Sequence, residues 1–290
     1  MEKINTIIFH QGYQDYLRLN CLITSKKNNI FLLGDESLKS FDKLKNVTFI
    51  DAKKYINDES IDTYKKNFQP LNTTPEKFVW LWYLRIFVMK LFLEENNINN
   101  IFHIDSDNIL FEDINNFEFD EDNAYLINKN YIPTNLTASI HCGLLNSNFF
   151  SNFTKLYEDI FLNKSKFGLI EEKIKYHEEH GKGGICDMTL FYLLYSEKIL
   201  KVQNLMAPIL SNQDNKEYIF MDNFSDPIGD KIDNQFRVGM NKRIKIYNDS
   251  NTEKIFLYDK FRKKKMRLIN IHFQGNAKKF MNEKFLKRYL

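Results

Sequence analysis

Apolar residues along this chain repeat in two ways. Short runs of β-branched and aromatic residues alternate with longer stretches in which apolar positions recur every three or four residues. Thr6–His10, Ile30–Leu33 and Val47–Ile50 are runs of the first kind, and Gly12 and Gly34-Asp35 punctuate them. Between the first two, Asp15–Lys26 puts Tyr16, Leu19, Leu22 and Ile23 on one helical face. This β-α-β opening predicts a parallel sheet with helices on its faces. Asn57–Pro75 is polar and poorly periodic, and reads as a loop or short helices. Pro75 then opens a helix to about Glu95. Phe78, Trp80, Leu81, Trp82, Leu84, Ile86 and Phe87 make that helix apolar on most sides, so it is expected to be central and buried. Arg85 interrupts it.

Ile101–Ile104 is a fourth strand and runs straight into Asp105-Ser106-Asp107-Asn108. Ala124–Ile127 and Ser139–Leu145 read as strands, Phe149–Leu162 as a helix, and Gly181–Gly184 as a flexible loop before a helix over Asp187–Lys198. Arg243–Tyr247 and Lys254–Tyr258 make a hairpin around Asn248–Asn251, and Leu268–Phe273 is a last strand. No internal repeat, low-complexity linker or composition break divides the chain. The prediction is one α/β domain over residues 1–290.

Composition narrows the classes. With 290 residues, 43% hydrophobic and 27% charged, the chain can form an ordinary folded core and is not disordered. A net charge of +3 is too mild to imply nucleic-acid binding. Cys21, Cys142 and Cys186 lie far apart without C-x-x-C or zinc spacing, which points to free thiols in a reducing, cytoplasmic setting. The first residues lack the pattern of a secretory signal, and no run of 18 apolar residues spans a membrane. Lys260–Arg267 packs six cations into eight residues. It reads either as a solvated strand edge or as a peripheral site for anionic lipid at the inner face of a membrane.

The stretch richest in chemistry is Asp105-Ser106-Asp107. In open α/β sheets ligands bind beyond the carboxyl ends of strands. Alternate residues of an extended chain point the same way, about 6.5 Å apart. Two carboxylates so placed repel, and a hard divalent cation relieves the repulsion. Mg²⁺ or Mn²⁺ holding a diphosphate is one reading. Strand-capping aspartates that open a turn are the other.

These segments resemble the nucleotide-sugar glycosyltransferases of the GT-A fold. The hydrophobic strand followed by Asp105-Ser106-Asp107 resembles their D-x-D motif. Trp82–Ile86 resembles the Tyr-x-Arg segment on the preceding helix. Ile140-His-Cys-Gly-Leu-Leu-Asn146 resembles the strand that faces the sugar. His272-Phe-Gln-Gly275-Asn-Ala-Lys278 resembles the H-x-x-G-x-x-K element of glycosyltransferase family 8 and its relatives. The resemblance implies a mostly parallel, Rossmann-like sheet flanked by helices, with a smaller antiparallel β part. It implies a nucleotide-sugar-binding half over about 1–115 and an acceptor half over about 116–290.

It further implies that Asp105, Asp107 and His272 coordinate Mn²⁺ or Mg²⁺, and that Lys278 contacts the phosphates beside Gly275. Phe9, His10, Gln11 and Gly12 fall where the first strand meets the base and ribose, with Tyr13 or Tyr16 as stacking partners. Ser106, His141, Cys142 and Gly143 fall at donor-binding positions. Arg85 and Asp187 are the implied catalytic residues at the donor sugar. Arg85 is equally a structural ion-pair partner, Asp187 a helix N-cap, and His272 an outward strand residue. The implied activity moves a hexose or N-acetylhexosamine from a nucleotide sugar, expected to be UDP-linked, to a glycan, lipid-linked or protein acceptor. His141 stands where Asn is usual, and Lys279-Phe280 where Pro-Trp often follows, so the residues leave retention or inversion open. A haloacid-dehalogenase-like phosphatase, which also uses Asp-x-Asp, and a non-catalytic sugar-binding protein are the alternatives.

Overall fold

Fourteen strands organise the described part of the chain, which in this computed structural model covers residues 3–127, 137–181, 183–222, 224, 236–237, 244–249 and 254–287. They are β1 (Asn5–His10), β2 (Ile30–Gly34), β3 (Val47–Asp51), β4 (Asn100–Ile104), β5 (Asn108–Leu110), β6 (Ala124–Ile127), β7 (Ala138–Asn146), β8 (Gln203–Asn204), β9 (Ile209–Leu210), β10 (Glu217–Ile219), β11 (Ile246–Asp249), β12 (Lys254–Asp259), β13 (Lys264–Leu268) and β14 (Asn270–His272). Helices are α1 (Asp15–Thr24), α2 (Lys53–Ile56), α3 (Glu59–Lys66), α4 (Glu76–Glu95), α5 (Ser147–Tyr157), α6 (Gly168–His180), α7 (Asp187–Ser196) and α8 (Glu283–Leu286).

The central sheet has the order β3-β2-β1-β4-β7-β6-β8. The first four strands run parallel, β7 is antiparallel to both β4 and β6, and β8 is parallel to β6. This is the α/β class that the alternating pattern predicts: a mixed, mostly parallel sheet covered by helices. A smaller, mainly antiparallel sheet β11-β12-β13-β10-β9 is separate from it. A third pairing, β14 against β5, sets His272 opposite Asn108.

Two apolar layers cover the faces of the central sheet. Helix α4 packs with α5 and α7 in one layer, with Tyr83, Phe87, Phe149, Phe153 and Phe191 at its centre. As its pattern predicts, α4 is buried along most of its length, although Phe78 is exposed. The other layer joins α1, through Leu17 and Cys21, to Ile8, Leu32 and Phe102 of the strands.

Asn57–Pro75 holds the short helix α3, as expected. Two local features differ from the sequence pattern. His177–His180 ends the 13-residue helix α6, whose apolar positions are too sparse to announce it. The expected strand pair forms, but Asn248 and Asp249 belong to β11, paired with Ile255 and Lys254, so that strand reaches two residues further than expected. Arg243 and Ser250-Asn251 lie outside the described residues.

The basic run is the β12–β13 turn and β13 itself. Within it Arg262 pairs with Asp259 at 2.7 Å, Lys264 with Glu217 at 2.7 Å, and Arg267 with Asp214. No helix among the described residues is long and apolar enough to cross a membrane.

Candidate active site

Strand β1 sits between β2 and β4, so the chain departs from it in opposite directions on its two sides. Such a switch point opens a crevice at the carboxyl ends of the strands. His10 ends β1 there, and Asp105 follows β4. The antiparallel β7 brings its own middle alongside, and the Asp105 amide donates to the His141 carbonyl at 2.8 Å. The loop is held from below by α1. The Asn20 side-chain amide donates to the carbonyls of Ser106 at 3.0 Å and Asn108 at 2.9 Å. Thr24, one turn on, donates to Asn20 at 2.7 Å and accepts from the Leu110 amide at 3.1 Å. A buried amide thus locks the shape of the Asp105–Asn108 turn.

Arg85 reaches out of α4 between two acids. Its guanidinium pairs with Asp105 and, at 2.6 Å, with Asp187 at the start of α7. Burial pushes both carboxyls up, but the Arg85 charge outweighs it at Asp105, which lies below the usual range. At Asp187 burial wins, and the carboxyl lies above it. The ion-pair expectation for Arg85 holds, with both Asp105 and Asp187 as partners.

Asp107 is the second carboxylate and is 6% exposed. Its Oδ1 lies 3.5 Å from His272 Nε2 and its Oδ2 3.1 Å from Lys278 Nζ. Burial raises its pKa, yet the His272 and Lys278 contacts pull it well below the usual value. The same pairing lifts His272 above its ordinary pKa against the opposing effect of burial. Lys278 also sits 5.3 Å over the Tyr16 ring, and Tyr16 meets the His10 ring edge-on at 5.8 Å.

Ligand atoms of Asp105, Asp107 and His272 lie within 4.8 Å of one another. Ligands on one hard cation with bonds of about 2.1 Å stand up to about 4.2 Å apart, so small side-chain adjustments suffice. The chemistry of the donors also fits. His272 Nδ1 lies 2.5 Å from the Asp222 carbonyl, which can only accept, so Nδ1 carries the proton. In the neutral ring Nε2 then presents a bare lone pair toward the two carboxylates.

The structure brings Arg85, Asp105, Asp107, Asp187, His272, Lys278, Tyr16 and His10 together by the carboxyl ends of β1 and β4, and sets several expected residues apart from them. Cys142 is fully buried in the apolar layer under α1. Gly143 lies between β4 and β6, where a Cβ would stand 2.8 Å from the Ala124 carbonyl, so close strand packing accounts for it. Phe9 packs into the α4 layer. Gln11 and Tyr13 are exposed, with Tyr13 edge-on to Phe41. Ser106 contributes its carbonyl to Asn20. His141, expected at the sugar, is 2% exposed and stacks on His272 with ring centroids 3.9 Å apart. Gly12 (φ +80°) and Gly275 (φ +56°) adopt left-handed turns with open space where a side chain would project. The Gly12 amide donates to Asp35.

Asn20, Asn108, Asp222 and Asn270 were not expected. Asn20 and Thr24 carry one visible signal, polar residues four apart beside the apolar Leu17 and Cys21. For Asp222 nothing in the chain points to the site.

No family model matches the chain, and no curated protein matches it by sequence. Among solved structures it is similar to the PaToxG glycosyltransferase, with 13% identity over 67% of this chain and 69% of that one, at a TM-score of 0.38. It is similar to the glycosyltransferase GlyE of Streptococcus pneumoniae TIGR4, with 14% identity over 70% of this chain and 45% of that one, at 0.33. A glycosyltransferase involved in the glycosylation of the major capsid of PBCV-1 matches with 11% identity over 61% of this chain and 75% of that one, at 0.31. The chain therefore spans less than half the length of the GlyE structure. At these identities and scores the likenesses assign no activity, and function is read from the chemistry of the site.

Proposed function

We propose that this chain is a divalent-metal-dependent glycosyltransferase that moves a hexose or N-acetylhexosamine from a nucleotide sugar, UDP-linked, to a glycan, lipid-linked or protein acceptor. One observation carries the reading: Asp105, Asp107 and the lone pair of His272 converge at the switch point of a mostly parallel sheet. Those three residues would hold Mn²⁺ or Mg²⁺, which when bound supplies a Lewis acid for the charge that develops on a departing diphosphate.

The remaining residues have distinct tasks. Lys278 offers an ammonium beside Asp107 for the diphosphate. Tyr16 and His10 border the same opening and suit the nucleotide's planar base. Arg85 holds Asp187 at the mouth of α7, where its carboxylate can accept hydrogen bonds from donor-sugar hydroxyls. Asp105 and Asp187 are both engaged by Arg85, which favours transfer with retention, the leaving phosphate oxygen accepting the acceptor's proton. The same engagement disfavours the phosphatase alternative, in which Asp105 would attack phosphorus as a free nucleophile. A cytoplasmic setting belongs to the proposal, supported by three unpaired thiols.

Calorimetric titration of UDP with and without Mn²⁺ tests the reading, followed by a screen of nucleotide sugars for Mn²⁺-dependent donor hydrolysis. Binding of UDP only with metal, and hydrolysis of one donor class, are expected. Absence of UDP binding at saturating Mn²⁺ refutes it.

A further inference from the structure

His272 also belongs to a second cluster, with His141 and Asp222, whose ligand atoms lie equally close together. The hydrogen bonds decide which cluster can take a cation. The decision starts from a backbone amide, whose direction is unambiguous. Met221 N–H donates to Asn270 Oδ1 at 2.7 Å, so the other end of that side chain is its NH₂ group. Asn270 Nδ2 donates to the Met221 carbonyl at 3.0 Å and to Asn108 Oδ1 at 2.8 Å. Asn108 Nδ2 is therefore a donor as well, and it faces the His141 carbonyl at 2.8 Å and His141 Nδ1 at 2.9 Å. His141 Nδ1 must accept, so its ring proton sits on Nε2, where it meets Asp222 Oδ1 at 3.0 Å. His141 has no lone pair left for a metal. Asp222 meanwhile turns its main-chain carbonyl to His272 Nδ1.

We propose that Asp222 and His141 are positioning residues for the metal ligand His272. This rests on the metal-dependent reading above and deepens it. The Asp222 carboxylate orients the His141 ring, and that ring lies against His272 at 24° to its plane. The Asp222 carbonyl fixes the His272 tautomer. The ring angle of the ligand is thus set by a chain of hydrogen bonds running from Met221 through Asn270 and Asn108 to His141 and the Asp222 carboxylate. Outer partners of this kind are worth about 10–100-fold in metal affinity.

The test is Mn²⁺ binding to the full chain, read by calorimetry and by electron spin-echo spectroscopy, which detects a directly coordinated imidazole nitrogen. Wild type is expected to bind Mn²⁺ with a nitrogen signal that His272→Ala abolishes. Asp222→Ala is expected to lose about tenfold or more in affinity and most of the nitrogen signal. Asp222→Asn, which keeps an acceptor for His141, is expected to recover both. His141→Asn, which removes the stacked ring, provides a second variant should Asp222→Ala fail to fold, and is expected to weaken both readouts. Asp222→Ala or His141→Asn with wild-type affinity and a full nitrogen signal overturns the positioning role. So does Asp222→Asn falling as far as alanine. Wild type that binds no Mn²⁺ at all instead overturns the metal reading itself, and the positioning role with it.

Discussion

Arg85→Leu removes the cation that pairs with both Asp105 and Asp187. Leucine replaces most of the buried stem, and Arg85 Nε has no hydrogen-bond partner to lose. The loss therefore falls on the two carboxylates. Asp187 is 2% exposed, and the Arg85 side chain that joins it to Asp105 is 14% exposed. Stripping the partner from a buried ion pair costs about 3–5 kcal/mol. Asp187, already pushed up by burial with Arg85 present, can relieve part of that by taking a proton. For a chain of this size each kcal/mol moves the melting temperature by about 2–4 °C, so a fall of roughly 6–20 °C is expected near neutral pH without metal. Scanning calorimetry measures it. Removing the second charge as well, in Arg85→Leu with Asp187→Leu, should restore part of the fall. Millimolar Mn²⁺ should raise the variant's melting temperature more than that of wild type, because a divalent ion would replace the lost counter-charge at Asp105. A fall of less than about 2 °C would refute the ion-pair reasoning. An equal Mn²⁺ effect on both proteins would refute the link to the metal.

Three further perturbations separate other parts of the site. Lys278→Met should move two affinities in opposite directions, because the ammonium competes with a cation for Asp107 and assists an anion beside it. Mn²⁺ binding to the nucleotide-free protein should tighten by no more than about threefold, since the lysine is 41% exposed and its pairing is screened. UDP binding at saturating Mn²⁺ should weaken by about tenfold or more. Two calorimetric titrations decide, and a shift of both in the same direction would be wrong for this account. Asn20→Leu should destabilise the fold by about 1–3 kcal/mol in urea unfolding and weaken Mn²⁺ binding, because the Ser106 and Asn108 carbonyls lose their common donor. Unchanged stability would show that the turn holds its own shape.

His103, buried beside Asp105, donates through Nδ1 to the Ile140 carbonyl at 2.6 Å, and burial lowers its pKa to about 4. The unfolded chain binds that proton near 6.5, so this contribution is complete above pH 6.5 and lost as pH falls toward 4. His103→Gln should flatten the acid side of the melting-temperature profile in that window. An unaltered acid slope would count against it.

The hydrophobic pattern alone determined the α/β class, the parallel opening, the buried α4 and the acidic turn after β4, because each depends on residues a few positions apart. Period and punctuation are local properties, and α1, β1–β4 and α7 lie close to where they predict. The chain did not reveal α6, where apolar positions are too few, and composition overstated the basic run, two of whose acids, Asp214 and Glu217, arrive from a distant segment. At the site, Asp105 and Asp107 are legible because a strand ends beside them. His272 reaches the two carboxylates only because β14 pairs with the distant β5, which sets it opposite Asn108. Tertiary contact also made His141 a buried partner of His272, sent Cys142 into the core, and recruited Asp222. A single residue's step along a strand reverses the side its chain faces, and hydrogen-bond partners come from whatever the fold sets opposite. Those two facts are settled only when the sheets assemble.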